Sequence, residues 1–430
     1  MGNLRKLVLF FVFILSLSGI GIWVLFATQG ANKSLNPTSV ETPIRGIVAG
    51  NVDVPIIHIL PQPVVNIQKK LSPGNDNLLS SSDNLSSANQ TSALVDNHSD
   101  EMNKFVNPTL PSYLLRFMNE WQPEEVGGCY DIWGISKTGS IPPLWLSTPE
   151  NAEYLQSSVS YYYLAGALIK NGIVDASQCP SGGYEYPNTD NLAANSCGVR
   201  AAQPVVVEWQ NRFNQIILDV AVKTGVPAHL IKNVFSQESQ FWPGLYNINA
   251  EAGLGQLSEN GADTLLLLRP GFFQELCSLT LDQNACSQGY DRLSATEKAL
   301  LRGLLFQMVN ASCQECQGKI DWEQANFSVG VFAENMLANC QQVGLIVNNV
   351  TSEAPGKHSS YTDLWKFTMV NYNAGAGCLT NAIQEAWKTS HELTWDLVSA
   401  QFDTHCRNAT SYVDNITWVP PYIPSVTPTP

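Results

Sequence analysis

The chain has 430 residues, 44% of them hydrophobic and only 14% charged. That length exceeds one typical domain and supplies enough apolar material for a large core. The net charge of −14 excludes a nucleic-acid partner, which needs a basic face.

Arg5 and Lys6 precede an uncharged, largely apolar run over residues 7–27. About 20 such residues span a bilayer as a helix, and the preceding positive charges keep the N-terminus inside. A cleaved signal peptide is the alternative. Its apolar core is shorter, and no Ala-x-Ala site follows here. We therefore read residues 1–27 as a membrane anchor, with the rest of the chain outside the cytoplasm. Residues 28–108 are rich in Ser, Asn, Pro and Leu and poor in aromatics, as in "LLSSSDNLSSANQTSALVDNHSD". No period persists in them, so they read as a disordered tether, spanning roughly 50 Å on average. Residues 419–430 form a Pro-rich tail. Asn-x-Ser/Thr triplets occur at Asn84, Asn89, Asn97, Asn326 and Asn408. They matter only where the host glycosylates exported chains.

The body between these segments is expected to be mainly helical. Residues 109–204 form an aromatic-rich N-terminal extension. "PSYLLRFMNEWQP" and "ENAEYLQSSVSYYYLAGALIKNG" read as helices, the second starting near Pro149 and stopping at Gly172. The aromatics Trp121, Tyr130, Trp133, Trp145, Tyr161, Tyr162 and Tyr163 serve either as core or as a sugar-stacking platform. A break is expected near "NSCGVRAAQP". The ten cysteines all lie after residue 128, and in an exported chain an even count reads as disulfides. Cys313 and Cys316 have the spacing of half a zinc site, but no second half follows. No metal or cofactor is expected.

In "VVVEWQNRFNQIILDVAVKTG", Trp209, Phe213, Ile216, Ile217 and Val220 recur at helical spacing. Gly225 stops that helix, and Pro227 suits the start of the next. In "PAHLIKNVFSQES", Ile231, Val234 and Glu238 fall on one face, so Glu238 shares a side with core residues near the helix C-terminus. Burial and the negative end of the helix dipole both raise the pKa of a carboxyl there. An acid still protonated near neutral pH can act as a general acid. "NINAEAGLGQL" follows, with Gly253 and Gly255 allowing close approach and Gln256 offering a donor and an acceptor. In "MVNYNAGAGCL", small residues surround Tyr372 and Asn373, as beside an open groove.

Together these pieces resemble the catalytic domain of the soluble lytic transglycosylases, relatives of goose-type lysozymes. The motifs, in family order, are Glu238-Ser239-Gln240-Phe241, Gly253-Leu254-Gly255-Gln256 and Asn371-Tyr372-Asn373-Ala374-Gly375. A weaker fourth, "NFSVGVFAENML" with Asn326 and Gly330, lies between the last two. The resemblance covers residues 205–400 or so. It implies a lysozyme-like helical domain over 205–418. The implied reaction is cleavage of the bond from N-acetylmuramic acid to N-acetylglucosamine in peptidoglycan, leaving a 1,6-anhydro product. Glu238 would be the single acid/base. Tyr372 would hold Glu238 by a hydrogen bond, and Gln256 and Asn373 would bind the sugar. Trp242, Tyr246 and Tyr372 are candidates for stacking on it.

Four departures stand out. Gly255 replaces the family's Met, which removes a wall of the sugar site. Ala250-Glu251 replaces Gly-Ala, and Asn371 replaces Ala. Residues 272–324, with four cysteines, read as a disulfide-braced insertion. Glu251 is either a solvated loop acid or the group that positions a water, which would make the enzyme a hydrolytic lysozyme or a chitinase-like glycosidase. A non-catalytic wall-binding protein is the other alternative.

Overall fold

A computed structural model describes residues 110–123, 128–136, 141–187, 191–245 and 251–419. The expected anchor, the tether, the tail beyond 419 and Tyr246 lie outside these residues. Among the described residues no helix is long and apolar enough to cross a membrane.

Those residues form helices joined by turns, with three isolated bridges and no strand, so the mainly helical expectation holds. The early helices are α1 (Ser112–Glu120), α2 (Gly128–Trp133) and α3 (Tyr162–Lys170). The central group comprises α4 (Ser196–Asn211), α5 (Asn214–Thr224) and α6 (Ala228–Glu238). After these come α7 (Glu259–Leu268), α8 (Pro270–Cys277), α9 (Gln283–Ser287) and α10 (Ala295–Val309). Two long helices, α11 (Trp322–Thr351) and α12 (Tyr361–Ser390), precede the short α13 (Trp395–Ser399) and α14 (Asn408–Thr417).

Helix α11 is apolar around most of its circumference, and such a helix belongs in the middle. From Phe327 to Cys340 every residue is buried, and α1, α2, α5, α7, α10 and α12 all pack on it. The early helices are thus attached to the same central rod. The Cys129–Cys340 disulfide joins α2 to α11, and Trp133 Nε1 donates to the Cys340 carbonyl at 2.9 Å. Trp121 packs edge-on against Phe272 and Phe327, each with ring centroids 5.3 Å away. Gly330 makes room for it, since a Cβ there would lie 2.8 Å from the Trp121 ring. Trp133, Trp145 and Tyr161 are buried as well, so these three and Trp121 are core rather than a sugar platform, whereas Tyr162 is exposed.

All ten cysteines pair, as Cys129–Cys340, Cys179–Cys197, Cys277–Cys286, Cys313–Cys316 and Cys378–Cys406. The Cys313/Cys316 pair is therefore a disulfide and not half a metal site. The four cysteines of residues 272–324 pair within that stretch. Its helices build a second apolar cluster with α1 and one flank of α11.

Three local expectations fail. Residues 149–172 are not one helix. A 3₁₀ turn (Ala152–Leu155) and an extended stretch precede α3. Side-chain amides of α4 hold that stretch extended, with Gln203 donating to the Ser158 carbonyl at 3.3 Å. Ser157 N–H donates to Asn211 Oδ1 at 2.9 Å, and Gln210 takes Val159 N–H at 3.1 Å while donating to the Val159 carbonyl at 2.9 Å. Backbone groups satisfied in this way have no need of a helix. The break expected near 195–204 instead begins α4, because Asn195 caps it by accepting from Cys197 and Gly198 N–H. The long helix expected over 205–224 is two, α4 and α5, divided at Arg212-Phe213 by a tighter turn from Arg212 N–H to the Trp209 carbonyl.

Candidate active site

Pro227 immediately precedes α6 and Glu238 is its last helical residue. Ile231 and Val234 are fully buried on the face that carries Glu238, and Glu238 itself is half-buried. The chain then turns through two consecutive left-handed residues, Gln240 (φ 46°) and Phe241 (φ 65°). Such positions cost about 1–2 kcal/mol each for a residue with a Cβ and persist only where their surroundings fix them. Gln240 Oε1 accepts from the Tyr163 and Leu164 N–H groups at the start of α3, at 2.9 and 3.3 Å. Phe241 is fully buried, and its carbonyl accepts from Trp209 Nε1 at 2.9 Å. Ser239 Oγ donates to the Leu254 carbonyl at 2.7 Å, which ties the end of α6 to the glycine loop.

That loop turns at Gly253 (φ 75°) and Gln256 (φ 50°) and closes with paired hydrogen bonds between Ala252 and Leu257. The Gln256 side chain folds back on it, donating to the Gly253 carbonyl at 2.8 Å. On the other side, α12 is interrupted at Gly375 (φ 83°, ψ 165°), just beyond Tyr372 and Asn373. Among the described residues nothing lies within 4 Å of a Cβ placed at Gly375 or Gly377. Asn373 is exposed there. Asn371 has a structural use: it is buried and donates to Asn339 Oδ1 and Gln342 Oε1 of α11, each at 2.7 Å.

The expected partner of Glu238 is corrected. Tyr372 donates instead to the Gly255 carbonyl. The hydroxyl on Glu238 is that of Tyr412 in α14, donating to Oε1 at 2.5 Å across 174 residues of sequence. Burial pushes the Glu238 carboxyl up to about 7, the Tyr412 hydrogen bond works against that rise, and the charge of Glu251 adds to it. Glu251 is exposed at the edge, yet surrounding protein raises its pKa too. The negative charges of Glu238 and Glu251 hold the Tyr372 hydroxyl in its neutral form, after burial, the larger cause.

Trp242 is also corrected. It is 5% exposed and stacks on Trp209 with centroids 5.7 Å apart, so it braces the turn rather than offering a face to sugar. At Gly255 the missing wall is supplied from elsewhere. A Cβ there would overlap the Phe332 ring of α11, which packs edge-on against Tyr372 at 5.8 Å. Gly255→Met is therefore expected to overpack the site, destabilising the fold by about 1–3 kcal/mol in a denaturant melt.

Tyr412 was missed because α14 reads as a plain apolar stripe of Ala409, Tyr412, Val413 and Ile416. Only its distance from Glu238 in space assigns it a role. The arrangement as a whole offers one proton-transfer group that titrates near neutrality, a fixed phenol on it, and a second carboxyl close enough to feel its charge. Among the described residues, no three His, Cys, Asp or Glu side chains gather as a metal site would require. No protein-family model, curated protein or solved structure matches the chain.

Proposed function

We propose that this chain is a peptidoglycan lytic transglycosylase with a lysozyme-like helical domain, a carbon–oxygen lyase that uses Glu238 as its only acid/base. The observation that carries the reading is the Glu238 carboxyl, half-buried at the end of α6, raised to about 7 and held by Tyr412. At neutral pH such a group is close to half protonated, so it can both give and take a proton.

In the first step Glu238 protonates the oxygen between muramic C1 and the leaving N-acetylglucosamine, and the C1–O bond breaks. In the second step the resulting carboxylate takes the proton of the muramic C6 hydroxyl as O6 bonds to C1. The acid is restored, the ring closes as a 1,6-anhydro sugar and no water is used. One carboxyl suffices, where most glycosidases need two. Tyr412 fixes the carboxylate and stabilises its charged form. Tyr372 stiffens the glycine loop by its bond to Gly255. Gln256 on the glycine loop and Asn373, exposed at the interruption of α12, would recognise hydroxyl or N-acetyl groups of the sugar. The five disulfides support a location in an oxidising compartment outside the cytoplasm, with membrane attachment through residues 1–27 as part of the same proposal.

A second reading is hydrolysis, with Glu251 positioning a water. The electrostatic coupling of Glu251 to Glu238 favours it. Clearing of suspended peptidoglycan, set against release of sugar from chitin, separates the substrate classes. Peptidoglycan clearing without chitin cleavage supports the muramic-specific reading. Chitin cleavage at an equal rate supports a chitinase-like hydrolase. Binding without clearing of either supports a wall-binding protein.

A further inference from the structure

We infer that Asn233 is a positioning residue for the Glu238–Tyr412 pair: its amide clamps the end of α14 to α6 and so keeps the phenol on the carboxyl. The inference rests on the acid/base reading of Glu238 only for its effect on turnover. Tyr412 reaches Glu238 from α14, which has 10 residues, and a helix of that length is marginal alone. What holds α14 in place therefore decides whether the hydrogen bond is made.

The sequence of α14 caps it poorly. Arg407, the residue before it, makes no side-chain cap. At the other end, the residue four past Ile416 is Pro420, which has no N–H to give to the Ile416 carbonyl. Asn233 supplies the missing donors. Its Nδ2 donates to the Ile416 carbonyl at 2.7 Å and to the Trp418 carbonyl at 2.9 Å, and Asn233 is buried. A side-chain amide has two N–H donors, so both are used.

The two contacts work as a pair. Helix α14 packs on both α6 and α12. Asn233 and Glu238 stand about 7.5 Å apart along the axis of α6, at 1.5 Å or so per residue. By the same rise Tyr412 stands about 6 Å from Ile416 along α14. The spacings match with the two helices antiparallel, so the clamp fixes both the tilt and the slide of α14. The chain entering α14 is held by Cys378–Cys406, and Asn233 holds the other end. The titratable groups facing Glu238 are Tyr412 from α14, Tyr372 from α12 and Glu251 from the loop, and of these Tyr412 alone lowers its pKa. A loosened α14 therefore lets the Glu238 pKa rise.

The test reads the Glu238 titration without substrate. The melting difference between each chain and its Glu238→Gln counterpart grows with pH and levels off at the folded pKa of Glu238. Asn233→Leu keeps the shape of the side chain and removes both donors. Asn233→Ala lets water reach the carbonyls, and serves where Asn233→Leu does not fold. Either is expected to move the plateau above about 7, in the direction of Tyr412→Phe and no further than it. Combined with Tyr412→Phe, either is expected to add no further shift, because the two act through one bond. Asn195→Ala, which uncaps α4, controls for lost stability alone and is expected to leave the plateau in place. On peptidoglycan, the alkaline limb of the pH–rate profile is expected to move up with the plateau. An unmoved plateau in both Asn233 variants, or a shift that adds to that of Tyr412→Phe, overturns the inference. A moved plateau in a chain whose native form cleaves nothing leaves the clamp standing and removes the enzymatic reading.

Discussion

Glu238→Gln is expected to abolish glycan cleavage and, above neutral pH, to make the protein more stable. The catalytic loss should be at least about 10²–10⁴-fold, the usual contribution of a positioned general acid. The stability gain follows from the direction of the pKa shift. Glu238 titrates at about 7 in the folded chain against 4.5 as its ordinary value. The folded state therefore holds this proton more tightly than the unfolded state does. Below 4.5 both states are protonated and there is no penalty. Between 4.5 and 7 the penalty grows, and above 7 it is complete. A shift of that size corresponds to about 3 kcal/mol at most, reduced by solvent at the open edge of a half-buried carboxyl. Gln carries no such penalty. Melting curves of both proteins at pH 4 and pH 8 check this: the two should agree at the lower pH and separate at the higher.

Tyr412→Phe is the second large effect. The phenol stabilises the ionised carboxylate, so its loss should move the Glu238 pKa upward from about 7. The acid form is needed for the first step, so the alkaline limb of the pH–rate profile should move up with it. The turnover number should fall roughly tenfold to hundredfold as the carboxyl loses its anchor, with KM little changed. The Cys378–Cys406 disulfide bears on the same contact. It joins α12, three residues past the interruption at Gly375, to the segment that leads into α14. It thus links the elements that carry Tyr372 and Tyr412. Replacing both cysteines by Ser should cost about 3–4 kcal/mol for a loop of this length. It should also shift the pH profile in the same direction as Tyr412→Phe. A change in stability alone, with the profile unmoved, would show that α14 holds its place without the cross-link.

Much of the architecture could be read from periodicity and punctuation. The face shared by Ile231, Val234 and Glu238, the stop at Gly225 and the disulfide character of the cysteines all follow from local pattern and exported context. What could not be read depends on contacts between distant segments. "YLQSSVSYYYLAG" has helical character on its own, and side chains from a distant helix, Gln203, Gln210 and Asn211, hold its first half extended. Trp242 sits beside the acid and so resembles a sugar platform, until Trp209 is found against its face. Gly255 leaves a gap in the sequence motif that Phe332 fills from α11. Tyr412 occupies a stripe position like any core aromatic, and its bond to Glu238 is visible only in three dimensions.

The most direct test of the central claim is mass spectrometry of the soluble products released from purified peptidoglycan by the native chain, with Glu238→Gln beside it. The account predicts muropeptides ending in 1,6-anhydro-muramic acid from the native chain and none from the variant. Products one water heavier, with reducing ends, would contradict the lyase mechanism and bring Glu251 forward. Anhydro products at an undiminished rate from the variant would contradict the role of Glu238 itself.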